Sequence, residues 1–278
     1  MNFKLYLKLI RPVNLLITFI TGVVAVILAD KSLTLNLNIY LLTGLSAALT
    51  AAAGNVINDI YDIEIDKINR PGRPLASGAV PVPVANAFYI FLVFSSLITA
   101  FYINLSAVFM VAVVSMALTL YASRLKRLPL IGNIVIAFIT GLVFVYGGIA
   151  ANNTSNAYIP AAFAFLINLI REILKDIEDI KGDQSCGLRT LPVVVGIRGT
   201  AKIMTYLTFI LVLFTFFPFI FQFYGIGYVV IIMITVNPLL VYFFKSLWQD
   251  QSQKNLKKLS LLLKLNMLFG LAAIYFGK

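Results

Sequence analysis

The sequence predicts an all-α membrane protein: about nine transmembrane helices in one bundle around a central cavity, with a cytoplasmic amino terminus. Three observations carry that expectation. The 278 residues are 60% hydrophobic with a mean hydropathy of +0.95, well above the roughly 45–50% apolar usage of soluble domains. Apolar runs able to cross about 30 Å of hydrocarbon recur along nearly the whole chain. Lys and Arg gather in alternate connections, the pattern left when basic residues are held on the cytoplasmic side.

The runs fall at about 13–29, 37–57, 84–103, 105–122, 129–150, 157–174, 203–222, 225–244 and 259–276. Lys4, Lys8 and Arg11 precede the first, as in a signal peptide. Its apolar stretch is too long for one and no cleavage site separates it from the second, so it reads as a retained anchor within a single integral-membrane domain over 1–278. Twenty of the 22 basic residues lie in or just beside the amino-terminal segment and the second, fourth, sixth and eighth connections, Arg171 and Lys264 falling within the ends of the adjoining runs. Only Lys31 and Lys278 fall to the other face.

Composition also excludes function classes. A formal charge of +11 could signal nucleic acid, but only 12% of residues are charged and no basic stripe interleaves with aromatics. Histidine is absent and Cys186 is the only cysteine. Disulfide frameworks, the usual zinc sites and Ser-His-Asp catalysis are therefore ruled out, and Cys186 reads as structural or neutral. Neither G-x-x-x-x-G-K-[ST] nor G-x-G-x-x-G occurs.

Of the 11 acidic residues, nine fall in two places: Asp59, Asp62, Glu64 and Asp66, then Glu172, Asp176, Glu178, Asp179 and Asp183. An ionised Asp costs about 2.5–3.5 kcal/mol at the centre of a transmembrane helix, and less near the interface, so such clusters need compensation. Both read D-x-x-D-x-x-x-D, as Asp59, Asp62, Asp66 and Asp176, Asp179, Asp183. At 100° per residue, each triplet spans an arc of roughly 60° on one helix face. Asn55 and Glu172, four residues before each triplet, share the arc, whereas Glu64 and Glu178 point elsewhere. Gly182 threatens to break the second helix before Asp183.

Carboxylates this close repel unless a cation sits among them. Magnesium suits them, because it takes one or two carboxylates together with waters and phosphate oxygens. Solvated loop acids are the bland alternative for one such triplet. Two triplets of matched spacing, each leaving a span on the same face, favour a site.

Asn69-Arg70-Pro71-Gly72-Arg73-Pro74 follows the first triplet and stiffens the connection that carries its two guanidinium groups. Arg189 follows the second at a similar offset, and Tyr121 to Arg127 adds Lys126 and Arg127 on the same side. Among polar residues in or near spans, Asn14, Asn55, Asn58, Asn133 and Asn168 are candidates to line the cavity, with helix–helix hydrogen bonding the alternative for each. Tyr61 and Tyr121 are the aromatics nearest the charged end. Gly22, Gly44, Gly141, Gly147 and Gly148 permit close helix packing.

Asn58-Asp59-x-x-Asp62-x-x-x-Asp66 with Asn-Arg-Pro-x-Arg-Pro, and later Lys175-Asp176-Ile-Glu-Asp179-Ile-Lys-Gly-Asp183, resemble the UbiA superfamily of intramembrane prenyltransferases. Arg11-Pro12, the Tyr121 to Arg127 connection and Gly132-Asn133 extend the likeness through nearly the whole chain. Arg171 to Asp183 and Gly141 to Gly148 are most similar to the branch that makes digeranylgeranylglyceryl phosphate in archaeal lipid synthesis. The resemblance implies a geranylgeranyl diphosphate donor, a geranylgeranylglyceryl phosphate acceptor, Mg2+ and formation of the second ether bond at the cell membrane.

On that reading Asp62, Asp66, Asp179 and Asp183 are catalytic through the metal, and Asn58, Asp59 and Asp176 complete its ligands. Arg11, Asn14, Asn55, Lys67, Arg70, Arg73, Tyr121, Lys126, Arg127, Asn133, Glu172 and Arg189 contact substrate. The Asp motifs do not distinguish this acceptor from quinone precursors, haem or chlorophyll side chains. A cation or metabolite transporter is the rival from another class, although its acids would sit nearer the bilayer midplane.

Overall fold

A computed structural model of the chain describes residues 3–30 and 34–277, and every regular element among them is helical. Lys31 and Lys278, the two cations expected on the second face, lie outside the described residues. The order is α1 (Phe3–Ile10), α2 (Pro12–Ala29), α3 (Leu37–Tyr61), α4 (Ile63–Asn69), α5 (Val82–Phe101), α6 (Leu105–Ser123), α7 (Ile131–Ala150), α8 (Tyr158–Ser185), α9 (Leu191–Ile220), α10 (Ile226–Ile231), α11 (Asn237–Gln249) and α12 (Gln253–Phe276). A 3-10 turn, Leu125–Arg127, follows α6, and a π turn, Ile232–Val236, joins α10 to α11.

Local chemistry sets many of these ends. Asn36, Asn104 and Ser252 cap α3, α6 and α12 with side-chain oxygens, and prolines open α2, α5, α9 and α11, where a missing N–H costs nothing. Pro238 also explains the π turn. It cannot donate to the preceding turn, the ladder there widens, and Asn266 Nδ2 donates to the Val236 carbonyl at 2.9 Å.

Eight helical segments are long and apolar enough to cross a membrane, with α10, the π turn and α11 together forming one of them. The expected sixth span lies in α8, whose later turns carry Arg171, Glu172, Lys175 and the second triplet, so α8 is not among the eight. Outward apolar side chains such as Phe94, Phe109 and Met116, each more than 60% exposed, have lipid as their solvent. The chain is a multi-pass membrane protein.

Two compact units make up the chain. The first comprises Met1–Arg127, Leu142–Ala161 and Ser185–Gly187. Here α3 packs against α2, α5 and α6. Gly147 lets α7 meet α2 closely, since a Cβ added to it would stand 2.4 Å from the Ala25 Cβ. The Tyr146 hydroxyl bonds Ser46 Oγ at 2.9 Å, and Ser46 donates to the Ser96 carbonyl at 3.1 Å, linking α7, α3 and α5. A core of Leu9, Ala52, Ala53, Val56, Leu75, Val80, Ala85 and Leu92 clamps α1, the charged end of α3 and the loop after α4 onto α5. That clamp fixes the backbone carrying the first triplet.

The second unit comprises Leu128–Gly141, Ala162–Gln184 and Leu188–Lys278. Gly196, at φ 73°, turns the chain between the first turn of α9 and its long remainder. The Tyr228 hydroxyl donates to the Thr215 carbonyl at 2.8 Å, and Asn237 bonds Thr215 Oγ1, joining α9 to α10 and α11. Gln253 at the start of α12 donates to the Glu178 carbonyl of α8 at 2.8 Å.

Candidate active site

The first triplet differs from a single-helix stripe by one break. α3 ends at Tyr61 and α4 begins at Ile63, with Asp62 between them at φ −99°, ψ 6°. The ladder nevertheless continues, since Asp62 N–H donates to the Asn58 carbonyl at 3.0 Å and Asp66 N–H to the Asp62 carbonyl at 2.8 Å. The three carboxylates therefore stay together: Asp59, Asp62 and Asp66 are 2%, 5% and 3% exposed. Glu64 lies on the open side and pairs with Lys67 at 2.7 Å, which also takes Lys67 away from the triplet.

Three buried anions need compensation, and cations from distant segments supply it. Arg73 spans two of them, with Nη1 3.2 Å from Asp59 Oδ1 and hydrogen-bonded to Asp66 Oδ2. Arg11 pairs with Asp59 and Lys126 with Asp62, while Asn58 Nδ2 donates to Asp62 Oδ2 at 2.7 Å. Burial raises the Asp66 pKa, and Arg73 opposes the rise without cancelling it. Burial would also loosen the Arg73 proton, but Asp59, Asp66 and Asp62 outweigh it and hold the guanidinium protonated.

Arg11 occupies the hinge between α1 and α2 in the left-handed region, at φ 57°. A non-glycine residue rarely sits there, and packing must hold it. Asn55 donates to the Ile10 carbonyl at 3.0 Å, which ties α3 to the end of α1 and uses its amide for helix–helix bonding. Asn14 lies half-buried in the first turn of α2, and Tyr121 half-buried at the end of α6. Arg127 is exposed, and Arg70 is half-buried in the turn after α4. Lys8, Arg11, Arg70 and Arg73 line a cleft of about 310 Å³ with Asp59, Gly72 and Pro74.

In the second unit, α8 continues through Gly182 to Ser185, contrary to the expected break. Gly182 is buried, and the packing around it outweighs its low helix propensity. Asp183 thus stays on the helix, 5% exposed, and accepts a hydrogen bond from the Thr190 hydroxyl at 2.9 Å. Asp176 accepts from Asn133 Nδ2 at 2.8 Å. It lies beyond the apolar part of α8, and burial pushes its carboxyl up to about 8, against the Asn133 bond and with help from Asp183 and Glu172. Asp179 is half-buried, Glu172 is buried against Lys175 at 2.7 Å and Arg171 at 3.4 Å, and Arg189 is exposed. Asn168 donates to the Ala164 carbonyl of its own helix.

Sequence reasoning missed three partners. Lys8 counted only toward topology, yet it lines the cleft with Arg70 and Arg73. Thr190 stands before Leu191-Pro192, a helix-start pattern, but its hydroxyl goes to Asp183 and makes no cap bond. Lys175, at i+3 from Glu172, was legible as an ion pair from spacing alone.

Among the described residues, no three His, Cys, Asp or Glu side chains stand close enough to hold a metal ion by themselves. The donor set, hard carboxylate oxygens supported by amides, fits magnesium in its usual form of protein environment, where one or two carboxylates share the ion with phosphate oxygens.

Residues 15–268 match the UbiA prenyltransferase family. A digeranylgeranylglyceryl phosphate synthase of Thermococcus kodakarensis is 35% identical over 273 residues, covering 98% of this chain and 97% of the relative. One of Methanocaldococcus jannaschii is 34% identical over 278 residues, covering 99% and 96%. A solved structure described as digeranylgeranylglyceryl phosphate synthase superposes with a TM-score of 0.77 at 34% identity, covering 99% of this chain and 97% of that one. A UbiA homologue from Archaeoglobus fulgidus, solved with GPP and Mg2+, shares the fold with a TM-score of 0.70 at 21% identity, covering 98% and 99%.

Proposed function

Because the chain belongs to the UbiA prenyltransferase family, we propose that this intramembrane enzyme of lipid biosynthesis transfers a geranylgeranyl group from geranylgeranyl diphosphate to the free hydroxyl of geranylgeranylglyceryl phosphate. The observation that carries this reading is the end-to-end likeness to digeranylgeranylglyceryl phosphate synthases, without large gaps on either side. In the reaction the acceptor oxygen bonds the allylic carbon, the C–O bond to diphosphate breaks, and pyrophosphate and a proton leave.

Asp62, Asp66, Asp179 and Asp183 would hold magnesium, with Asn58, Asp59 and Asp176 completing its surroundings. When bound, the metal neutralises charge that grows on the departing diphosphate. Arg73 and Lys126 rest on carboxylates in the structure, so an arriving anion gives each a second partner without a long excursion. Arg127 and Arg189 are exposed cations for the phosphate oxygens. Apolar side chains of the spans hold the prenyl chain and keep water from the allylic cation.

Labelled geranylgeranyl diphosphate supplied to purified protein with a panel of acceptors tests the proposal. Geranylgeranylglyceryl phosphate is expected to be the preferred acceptor. Preferred prenylation of a quinone precursor or another aromatic acceptor would overturn the assignment.

Asp176 makes magnesium binding depend on pH. A metal ion requires the carboxylate, so the proton held to about 8 must leave on binding. Apparent magnesium affinity, measured by calorimetry on detergent-solubilised protein, should rise by up to about tenfold per pH unit below 8 and flatten above it. Asp176→Asn should remove that slope.

The charge count supports a cytoplasmic amino terminus and charged ends in the cell membrane. Cys186, the only cysteine and exposed, reports the side directly. A membrane-impermeant maleimide should label it in inverted vesicles and leave right-side-out vesicles unlabelled. The reverse pattern refutes the orientation.

A further inference from the structure

The last carboxylate of the second triplet is braced by a residue outside both the motif and its helix. α8 closes with a left-handed turn at Gly187, φ 69°, and Leu188 N–H returns to the Asp183 carbonyl at 2.9 Å, the six-to-one bond of a Schellman ending. That reversal delivers Thr190 beside the residue at which the turn began. Its hydroxyl donates to Asp183 Oδ2 at 2.9 Å, and both residues are 5% exposed.

Local chemistry explains why this hydroxyl is available. Thr190 occupies the N-cap of α9, where a threonine oxygen ordinarily accepts an N–H from the second or third helical residue. Pro192, the second residue, has no N–H, and Val193 and Val194 donate instead to the Thr190 carbonyl at 3.0 and 3.1 Å. The backbone serves the cap, and the side chain turns to Asp183. A donor is useful there, because a carboxylate in the last turn of α8 meets the negative end of the helix dipole.

We propose that Thr190 is a positioning residue of the second triplet: it holds Asp183 in the orientation that magnesium requires, and so sets affinity for the ion without touching it. The assignment rests on the reading, given above, that Asp183 holds magnesium. Mg2+ demands near-octahedral geometry at about 2.0–2.1 Å, so a carboxylate that must first be ordered gives up part of its binding. A hydroxyl orients without neutralising. The ion therefore displaces no charge from Thr190 when it arrives. Asp183 also gains more from an outside brace than Asp179, which lies one turn further inside α8.

The test uses the full chain in nanodiscs. Thr190→Val and Thr190→Ala lose the hydroxyl, Thr190→Ser keeps it, and Asp183→Ala removes the carboxylate. Magnesium alone and calcium alone are titrated calorimetrically, and the magnesium activation constant for prenyl transfer is measured at saturating donor and acceptor. Losing the hydroxyl should weaken magnesium binding and raise the activation constant by about 10-fold or more, the usual weight of a group that orients a metal ligand. The kcat at saturating magnesium should fall far less, since excess ion drives Asp183 into place. Thr190→Ser should recover most of the affinity. Calcium accepts more ligands in looser geometry, so its binding should weaken less than that of magnesium, a difference that lost packing alone does not produce.

Wild-type magnesium affinity in both hydroxyl-free variants, with Asp183→Ala impaired, would overturn the positioning role alone. So would a loss shared equally by magnesium and calcium and not recovered by serine, which would make Thr190 a packing element. Unchanged magnesium binding in Asp183→Ala would refute the metal reading of Asp183 and the role of Thr190 with it.

Discussion

Exchanging either Asp62 or Asp179 for alanine is expected to lower magnesium-dependent prenyl transfer by about 10³-fold or more, a loss of about 4 kcal/mol from the transition state. The size follows from the job proposed for these groups. Breaking the allylic C–O bond concentrates negative charge on diphosphate, and the interactions that speed the step are those that strengthen as that charge grows. Asp62 is buried and held by Asn58 and Lys126, so its oxygens are oriented before any ligand arrives. Asp179 is the middle member of the second triplet, on the uninterrupted α8. If both triplets serve one diphosphate, the double variant should be little worse than either single one, because groups acting as a unit lose their effect together. Glu64→Ala is the control. Its carboxylate is exposed and pairs with surface Lys67, so activity should stay within about twofold of wild type. Turnover of labelled geranylgeranyl diphosphate in proteoliposomes across a magnesium series measures all four. Full activity in Asp179→Ala would remove the second triplet from the mechanism.

Much of the architecture was legible because lipid simplifies the code. Each of the nine apolar runs overlaps a helix or, near Pro238, three consecutive helical segments, since a spanning segment must satisfy its own backbone. The three-and-seven spacing put Asp59, Asp62 and Asp66 on one buried side and Glu64 on the other, because α-helical periodicity survives the break at Asp62. Local signals failed where tertiary packing decided. Gly182 should weaken a helix, but it is buried in one that continues to Ser185. Arg11 adopts a left-handed conformation that no propensity favours, between helices its neighbours pin in place. Choice of ion partners was also hidden. Lys126 and Asp62 are 64 residues apart, and a count of cations per connection ranks Lys126 no higher than Arg127. The apparent shortfall in α8 has the same origin, for the helix that carries the second triplet is too charged in its later turns to register as a span.

Replacing Arg73 with alanine is expected to cost more stability than any other single change at the charged end of the first unit. Its guanidinium touches both Asp59 and Asp66, whose side chains are 2% and 4% exposed, and is itself only 18% exposed. Removing one partner of a buried ion pair costs about 3–5 kcal/mol, because the remaining charge keeps its desolvation penalty without its attraction. At roughly 2–4 °C per kcal/mol for chains of this size, melting in detergent should fall by about 6 °C or more. Arg73→Lys should recover part of the loss, since both carboxylates meet the single nitrogen Nη1, whose charge an ammonium supplies from a different position. Two further measurements separate lost charge from lost packing. Burial raises the Asp66 pKa and Arg73 opposes that rise, so removing Arg73 drives it higher. A group whose pKa is raised in the folded state gives stability at low pH and loses it as pH climbs through the folded value. The variant should therefore lose melting temperature more steeply than wild type as pH is raised above the ordinary carboxylate range. Magnesium should raise its melting temperature more than that of wild type, since a divalent cation on one or two of the Asp59, Asp62 and Asp66 carboxylates, with waters completing its shell, supplies the charge that the guanidinium provided. A variant whose deficit ignores both protons and magnesium would reduce Arg73 to a packing element and leave the first triplet without evidence of an exchangeable cation.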